Sequence, residues 1–221
     1  ERFTPELTVA VNLDWDHPDH YRQLAELEAT FAALFARTRG TVLVSDACAL
    51  SARLAPGAVR FGRSGDFSGI VAAEQGDRMT LRLGGKFAPV EVAVRARGEF
   101  NAANATAALA ALQLMGAEVL PRALADFPGV RRRQAILLAT DGLTVIEDYA
   151  HHPAEIRALL GSLQCRIEKG GRLVVVFQPH RFSRTAQFKA EFAAALLMAH
   201  RVHLLDVYAA GEAPIAGGTT A

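Results

Sequence analysis

The sequence predicts an α/β protein: parallel strands with helices plus a small antiparallel sheet, followed by a second parallel array that begins the pattern again. Three observations predict it. Short β-branched runs (LTVAVNL at 7–13, TVLVS at 41–45, LVVVF at 173–177) are apolar almost throughout, as strands covered on both faces are. Between such runs lie stretches with apolar residues at helical spacing. At Pro128-Gly129, just before Arg131, Arg132 and Arg133, the pattern breaks and then restarts, which marks a domain boundary.

The elements follow in order. The run 7–13 leads through an acidic turn at 14–19 into a helix over 21–37, with Leu24, Leu27, Phe31, Leu34 and Phe35 on its apolar stripe. Gly40 stops that helix, and 41–45 is the next strand, so the unit is βαβ with a right-handed crossover. From 58 to 94 the short pieces AVRFG, IVAAE, MTLRLGG and VEVAVR read as antiparallel strands, with Gly84-Gly85 as a hairpin turn. An Ala-rich helix covers 101–115 and ends at Gly116, and 120–127 reads as a second short helix. Beyond the boundary, strands at 144–146, 173–177 and 202–206 alternate with helices at 154–163 and 185–199, as in a parallel array. The expected division is 1–128 and 129–221, with the antiparallel subsheet at about 58–96.

Composition narrows the function. Lys and Arg number 24 against 23 Asp and Glu, a net charge of +1. No long-range field favours nucleic acid or an anionic membrane, so any anionic ligand must be held by a local cluster. Cys48 and Cys165 show no CxxC or Cys/His spacing, which argues against a disulfide framework or zinc and for a reducing, cytoplasmic setting. The apolar runs are far shorter than a membrane span, and no signal peptide opens the sequence. The chain starts on Glu1 directly before strand-like sequence and stops with the second array at three strands. Both ends read as those of a fragment.

In open α/β sheets, ligands bind beyond the C-terminal ends of the strands, so three strand-end loops carry the candidates. The first, Asn12-Leu-Asp-Trp-Asp-His17-Pro-Asp-His20, could hold a divalent cation beside phosphates; on spacing alone the better reading is an Asp-rich turn capping the next helix. The second, Glu147-Asp148-Tyr149-Ala-His151-His152-Pro153, places a carboxylate and two imidazoles before a helix start. The third, Phe177-Gln-Pro-His180-Arg181-Phe-Ser-Arg184-Thr185, combines forked donors with a helix N-terminus, which suits a carboxylate or phosphate. Asn101 and Asn104 share a helix face. Arg131, Arg132 and Arg133 could grip polyphosphate or form a solvated patch. No G-x-x-x-x-G-K-[ST] phosphate loop occurs, and Gly84-Gly85-Lys86 fails its spacing.

Together, NLDWDHPDHY, GEFNAANATAALA, GVRRR, EDYAHHPAEI, FQPHRFSRT and DVYAAGEAPI resemble the Mur ligases, in order and over essentially the whole chain. The resemblance implies the latter part of a central ATPase domain followed by the first half of a Rossmann-like C-terminal domain, with the phosphate loop upstream of Glu1. It implies an enzyme, an ATP-dependent acid–amino-acid ligase of peptidoglycan synthesis that uses ATP and Mg²⁺. It further implies UDP-N-acetylmuramate and L-alanine as substrates, neither nucleic acid nor membrane as partner, and a homodimer as one possible assembly. His17 matches the family's metal-binding histidine, with Asn12 nearby. Asn101 and Asn104 match the pair at the adenine, Arg133 the hinge arginine that reaches ATP phosphates, and Asp148 the carboxylate that binds ribose or orders its loop. Tyr149, His151, His180, Arg181 and Arg184 match positions lining the amino-acid and muramoyl end, with His151, His180, Arg181 and Arg184 as the catalytic set.

Three other readings stand beside this one: a recycling ligase of the same family that attaches a tripeptide, a related folate-type glutamate ligase, and a non-catalytic remnant. The chain by itself, lacking the phosphate loop, is expected to be inactive.

Overall fold

The computed structural model describes residues 3–15, 20–168 and 170–220. The chain divides into two compact units, Glu1–Trp15 with Gln23–Gly129 and Asp16–Arg22 with Val130–Ala221. The architecture is mixed α/β, with parallel strands and a smaller antiparallel part.

In the first unit, β1 (Leu7–Ala10), α1 (Leu24–Arg37) and β2 (Thr41–Ser45) form the βαβ unit, with β1 and β2 parallel and Leu7 opposite Thr41. A six-residue helix, α2 (Ala49–Leu54), leads to β3 (Val59–Gly62), which pairs parallel with β2. The piece AVRFG is therefore a parallel strand, not the first antiparallel one. Its crossover helix is too short to display the periodicity that would reveal it.

From there β4 (Phe67–Gln75), β5 (Arg78–Gly85) and β6 (Val90–Val94) run antiparallel, and all six strands form one sheet in the order β1-β2-β3-β4-β5-β6. The β4–β5 turn is at Gly76, φ +61°, and Gly84-Gly85 lie inside β5 opposite Ser68 and Phe67. Gly85 is required by contact as well as by φ (+70°): a Cβ there would stand 2.2 Å from the carbonyl oxygen of Asp66.

Helix α3 (Glu99–Leu114) covers the sheet with Ala102, Ala105, Thr106, Ala107, Leu109 and Ala110 buried. These are mostly small side chains, which let the helix approach Leu43, Phe61, Phe67, Leu81 and Val92 of the core closely. The segment 120–127 is not a helix. Its carbonyls at Pro121 and Leu124 accept from the backbone N–H groups of Ala93 and Arg95 along β6, and its local bonds are single turns such as Ala123 N–H to Leu120 C=O and Ala125 N–H to Arg122 C=O.

In the second unit, β7 (Ala135–Ala139) and β8 (Thr144–Glu147) form an antiparallel hairpin closed by Thr140 N–H to Leu143 C=O. Helix α4 (Pro153–Gln164), β9 (Val174–Phe177), α5 (Phe182–Gln187), α6 (Lys189–Leu196) and β10 (Arg201–Leu204) follow, with β9 and β10 parallel. Among the described residues the parallel array thus holds two strands rather than three, because β8 pairs with β7 across a short turn whose closure costs little entropy. The helix expected over 185–199 is split at Phe188 (φ −115°, ψ 24°), whose ring packs on His152 at 5.0 Å between centroids. Phe188 joins Ile156, Leu160, Phe177, Phe192, Ala195 and Leu196 in this unit's core. Cys48 and Cys165 are free thiols, one in each unit. Among the described residues no helix is long and apolar enough to cross a membrane.

The two glycines of β5 and its turn make a paired test. Gly76→Ala meets open space and should cost about 1–2 kcal/mol for the left-handed backbone alone. Gly85→Ala adds a backbone clash and should cost clearly more, about 3 kcal/mol or above; equal shifts in urea unfolding midpoint would refute the close approach.

Candidate active site

The loops after β8, β9 and β10 in the second unit bring most of the candidate residues together. Strands β9 and β10 are parallel, so the loops that follow them leave the sheet at the same edge. Those two loops then pair with each other: Arg181 N–H donates to Tyr208 C=O at 2.8 Å, and Tyr208 N–H to Pro179 C=O at 2.9 Å. The His180 ring is stacked on Tyr208 at 5.5 Å between centroids.

From the β8 loop, His151 reaches within 6.2 Å of His180 and Tyr149 within 5.1 Å of His151, so four rings run in series. The guanidinium carbons of Arg132 and Arg133 lie 4.9 and 5.8 Å from the Tyr149 ring centre, within cation–π range. Ion pairs join Arg132 to Glu147 (3.0 Å) and Arg133 to Glu155 (3.6 Å).

Hydrogen bonds fix the tautomers. His151 Nδ1 lies 2.9 Å from Tyr149 C=O, an acceptor only, so Nδ1 carries the proton and neutral His151 keeps a lone pair on Nε2. His180 Nδ1 faces the Arg184 guanidinium at 3.5 Å, a donor only, which leaves Nε2–H as the donor of neutral His180. Burial first, then the charges of Arg184, of His151 when it is protonated, and of Arg181, hold His180 below the ordinary imidazole value, while Glu212 pulls the other way. Arg184 is only 3% exposed, on α5, whereas the Arg181 side chain keeps 30% of its surface open.

The two adjacent histidines divide their work. His152 caps α4: its Nδ1 accepts from Ala154 N–H at 3.3 Å, and Glu155 Oε2 accepts from the N–H groups of His151 (3.0 Å) and His152 (3.2 Å), a capping box with Pro153 at the first helical position. Asp148 is also committed to backbone. Its Oδ2 accepts from Gln134 N–H (2.9 Å) and its Oδ1 from Ala150 N–H (2.8 Å).

Among the described residues, the non-glycine positions with positive φ are Arg132 and Gln134, in the segment before β7, and Arg181 and Ala210, in the loops after β9 and β10. Left-handed backbone at such residues costs about 1–3 kcal/mol each and persists where surrounding contacts over-determine it.

Helix α5 has no cap from its own sequence. Glu212, 29 residues downstream, takes that place: its carboxylate accepts from Ser183 N–H at 3.0 Å and Ser183 Oγ–H at 2.6 Å, and lies 3.7 Å from Arg181. The helix start read from sequence as a binding place for an external anion is met by an anion of the protein itself. Burial alone would raise the Glu212 carboxyl, but the Ser183 bonds and Arg181 outweigh it and hold the group below its ordinary value.

Of the residues singled out from sequence, Arg133, Asp148, Tyr149, His151, His180, Arg181 and Arg184 all lie in this unit. Asn12 is exposed just beyond β1 in the first unit, and Asn104 is exposed on α3. Asn101 spends its Nδ2 on Arg97 C=O at 2.7 Å. His17 lies outside the described residues. Among the described residues no three His, Cys, Asp or Glu side chains are grouped to hold a metal. Glu212, Tyr208 and Glu155 escaped the sequence reading. Glu155 had a local signal, the acid three residues into a helix, but the partners of Glu212 and Tyr208 are set by chain reversal alone.

Comparison with known proteins bears on this arrangement. Residues 1–112 match the model of the Mur ligase middle domain, and residues 131–217 that of the Mur ligase, glutamate ligase domain. The chain is 39% identical to the UDP-N-acetylmuramate–L-alanine ligase of Mycolicibacterium smegmatis, covering 97% of this chain and 48% of that protein. It is 40% identical to the ligase of that name from Acidothermus cellulolyticus, over 96% and 47%. The solved UDP-N-acetylmuramate–alanine ligase of Thermotoga maritima superposes with a TM-score of 0.73 at 29% identity, over 93% and 47%. The chain thus spans about half the length of the relatives it matches.

Two measurements test the clamps. Asp148→Ala strips two backbone N–H groups of a charged acceptor and should weaken local protection by about 2–4 kcal/mol; hydrogen exchange at Gln134 and Ala150 reads it, and unchanged rates would refute the clamp. For Glu212, a carboxyl held below its unfolded value of about 4.5 stabilises the fold above that pH and loses this contribution as pH falls through the lower folded value. The Ser183 amide signal should therefore titrate with a midpoint below pH 4.5.

Proposed function

The chain belongs to the Mur ligase family, and on that premise we propose that it forms part of an ATP-dependent ligase joining L-alanine to UDP-N-acetylmuramate, a cytoplasmic step of peptidoglycan synthesis. The observation that carries the reading is the cluster of His151, His180, Arg181 and Arg184 on paired strand-end loops. It places cationic donors beside a ring nitrogen that accepts a proton, as amide formation from an acyl phosphate needs.

The reaction has two steps. A muramoyl carboxylate oxygen attacks the γ-phosphorus of ATP; the P–O bond to the β-phosphate breaks, giving an acyl phosphate and ADP. The alanine amine then attacks the acyl carbon, the C–O bond to phosphate breaks, and the amine proton leaves. Positioning and charge neutralisation dominate such chemistry.

His151, with its lone pair on Nε2, is suited to take the amine proton. His180, kept neutral and donating from Nε2, hydrogen-bonds a substrate oxygen. Arg181 and Arg184 supply charge to the alanine carboxylate, and Tyr149 lines the same end. Arg133 meets the ATP phosphates. Asp148, both oxygens on backbone N–H groups, orders its loop rather than binding ribose directly. Asn101 and Asn104 are assigned to the adenine. Mg²⁺ would be held by His17, with Asn12 nearby, and would neutralise phosphate charge.

The test is ligation by the full-length gene product, with ADP release dependent on both UDP-N-acetylmuramate and L-alanine. Arg181→Ala should raise the KM for L-alanine about tenfold or more with kcat nearly kept. Arg184→Ala, which also removes the partner of His180, should raise KM and lower kcat. Preference for a tripeptide over L-alanine would overturn the substrate assignment. The 221 residues alone, lacking the phosphate-loop sequence, should release no ADP.

A further inference from the structure

We infer that Glu212 is a positioning residue for the reaction proposed above, setting the placement of Arg181 and His180 without touching the reacting atoms. The inference rests on that reaction. The geometry is specific. The loop from Tyr208 to Glu212 holds Arg181 from two sides, its backbone N–H on Tyr208 C=O at 2.8 Å and its guanidinium 3.7 Å from the Glu212 carboxylate. The same loop stacks Tyr208 on His180. Arg181 sits at φ +73° and Ala210 at φ +49°, so both partners hold left-handed backbone that the contacts between them stabilise.

Glu212 also accepts from both the backbone N–H and the hydroxyl of Ser183, which fixes the residue between Arg181 and Arg184. The Arg181 guanidinium that Glu212 holds keeps 30% of its side-chain surface exposed, whereas Arg184 is 3% exposed. The charged and titratable groups acting on His180 are Arg184, His151, Arg181 and Glu212, so the Glu212 charge is also read out at that ring.

The experiment compares Glu212→Ala, Glu212→Gln and Glu212→Asp in the full-length gene product by steady-state kinetics, and in the 221-residue chain by NMR of the Ser183 amide and the His180 ring. Glu212→Ala should raise the KM for L-alanine about tenfold or more, with kcat within about threefold and the KM for ATP unchanged. Glu212→Gln keeps an acceptor for Ser183 but loses the charge beside Arg181; it should fall between wild type and Ala, with His180 titrating lower than in wild type. Glu212→Asp should restore part of the loss.

If Glu212→Ala does not fold, Glu212→Gln carries the test. Wild-type constants in every variant, or an equal loss in kcat and every KM alongside a lowered melting temperature, overturn the inference. A wild-type enzyme with no ligation sinks the proposed reaction and this role with it; an active wild type with silent variants sinks this role alone.

Discussion

Left-handed backbone at Arg132, Gln134, Arg181 and Ala210 is the condition on which the second unit's loops depend. Each of these residues carries a Cβ that disfavours the conformation, and the strands beneath are only four or five residues long. Two carboxylates answer that strain. Asp148 accepts the Gln134 amide and so fixes the segment that carries Arg132 and Arg133, while Glu212 fixes Arg181 and Ser183. Neither acid resembles a ligand-binding group once its partners are counted. Both place cations that do.

The same accounting separates the imidazoles. His152 is buried against Phe188 and caps α4; His151, one residue earlier, is held by the carbonyl of Tyr149 and keeps its distal nitrogen open. Adjacent residues of one type therefore have different chemistry because one belongs to the helix and the other to the loop. His180 is set apart in turn by the cations around it, which favour its neutral form.

The amino-acid sequence disclosed the first unit's framework more fully than the second's. The βαβ start was legible because 7–13 and 41–45 are β-branched runs and the stretch between them has a clear apolar stripe. α2 was not, since six residues hold fewer than two turns. The turn was misplaced to Gly84-Gly85 because glycine serves close approach as readily as it serves reversal. β7 was missed because Ala135–Ala139 (AILLA) holds a single β-branched residue, Ile136, and so lacks the run that marked the other strands. At the site, strand-end position pointed to Asp148, His151, His180 and Arg181, but not to Glu212, whose role is set by a partner 29 residues away. Nor could spacing show that Arg184 is buried while Arg181 is open.

The turn at 121–124 has a meaning for how molecules of this chain meet one another. β6 is the last strand of its sheet, and a bare last strand offers a ladder of donors and acceptors on which another polypeptide can assemble. Here the carbonyls of Pro121 and Leu124 already occupy the outward N–H groups of Ala93 and Arg95. A few irregular residues thereby blunt that border against cross-β growth between neighbouring copies.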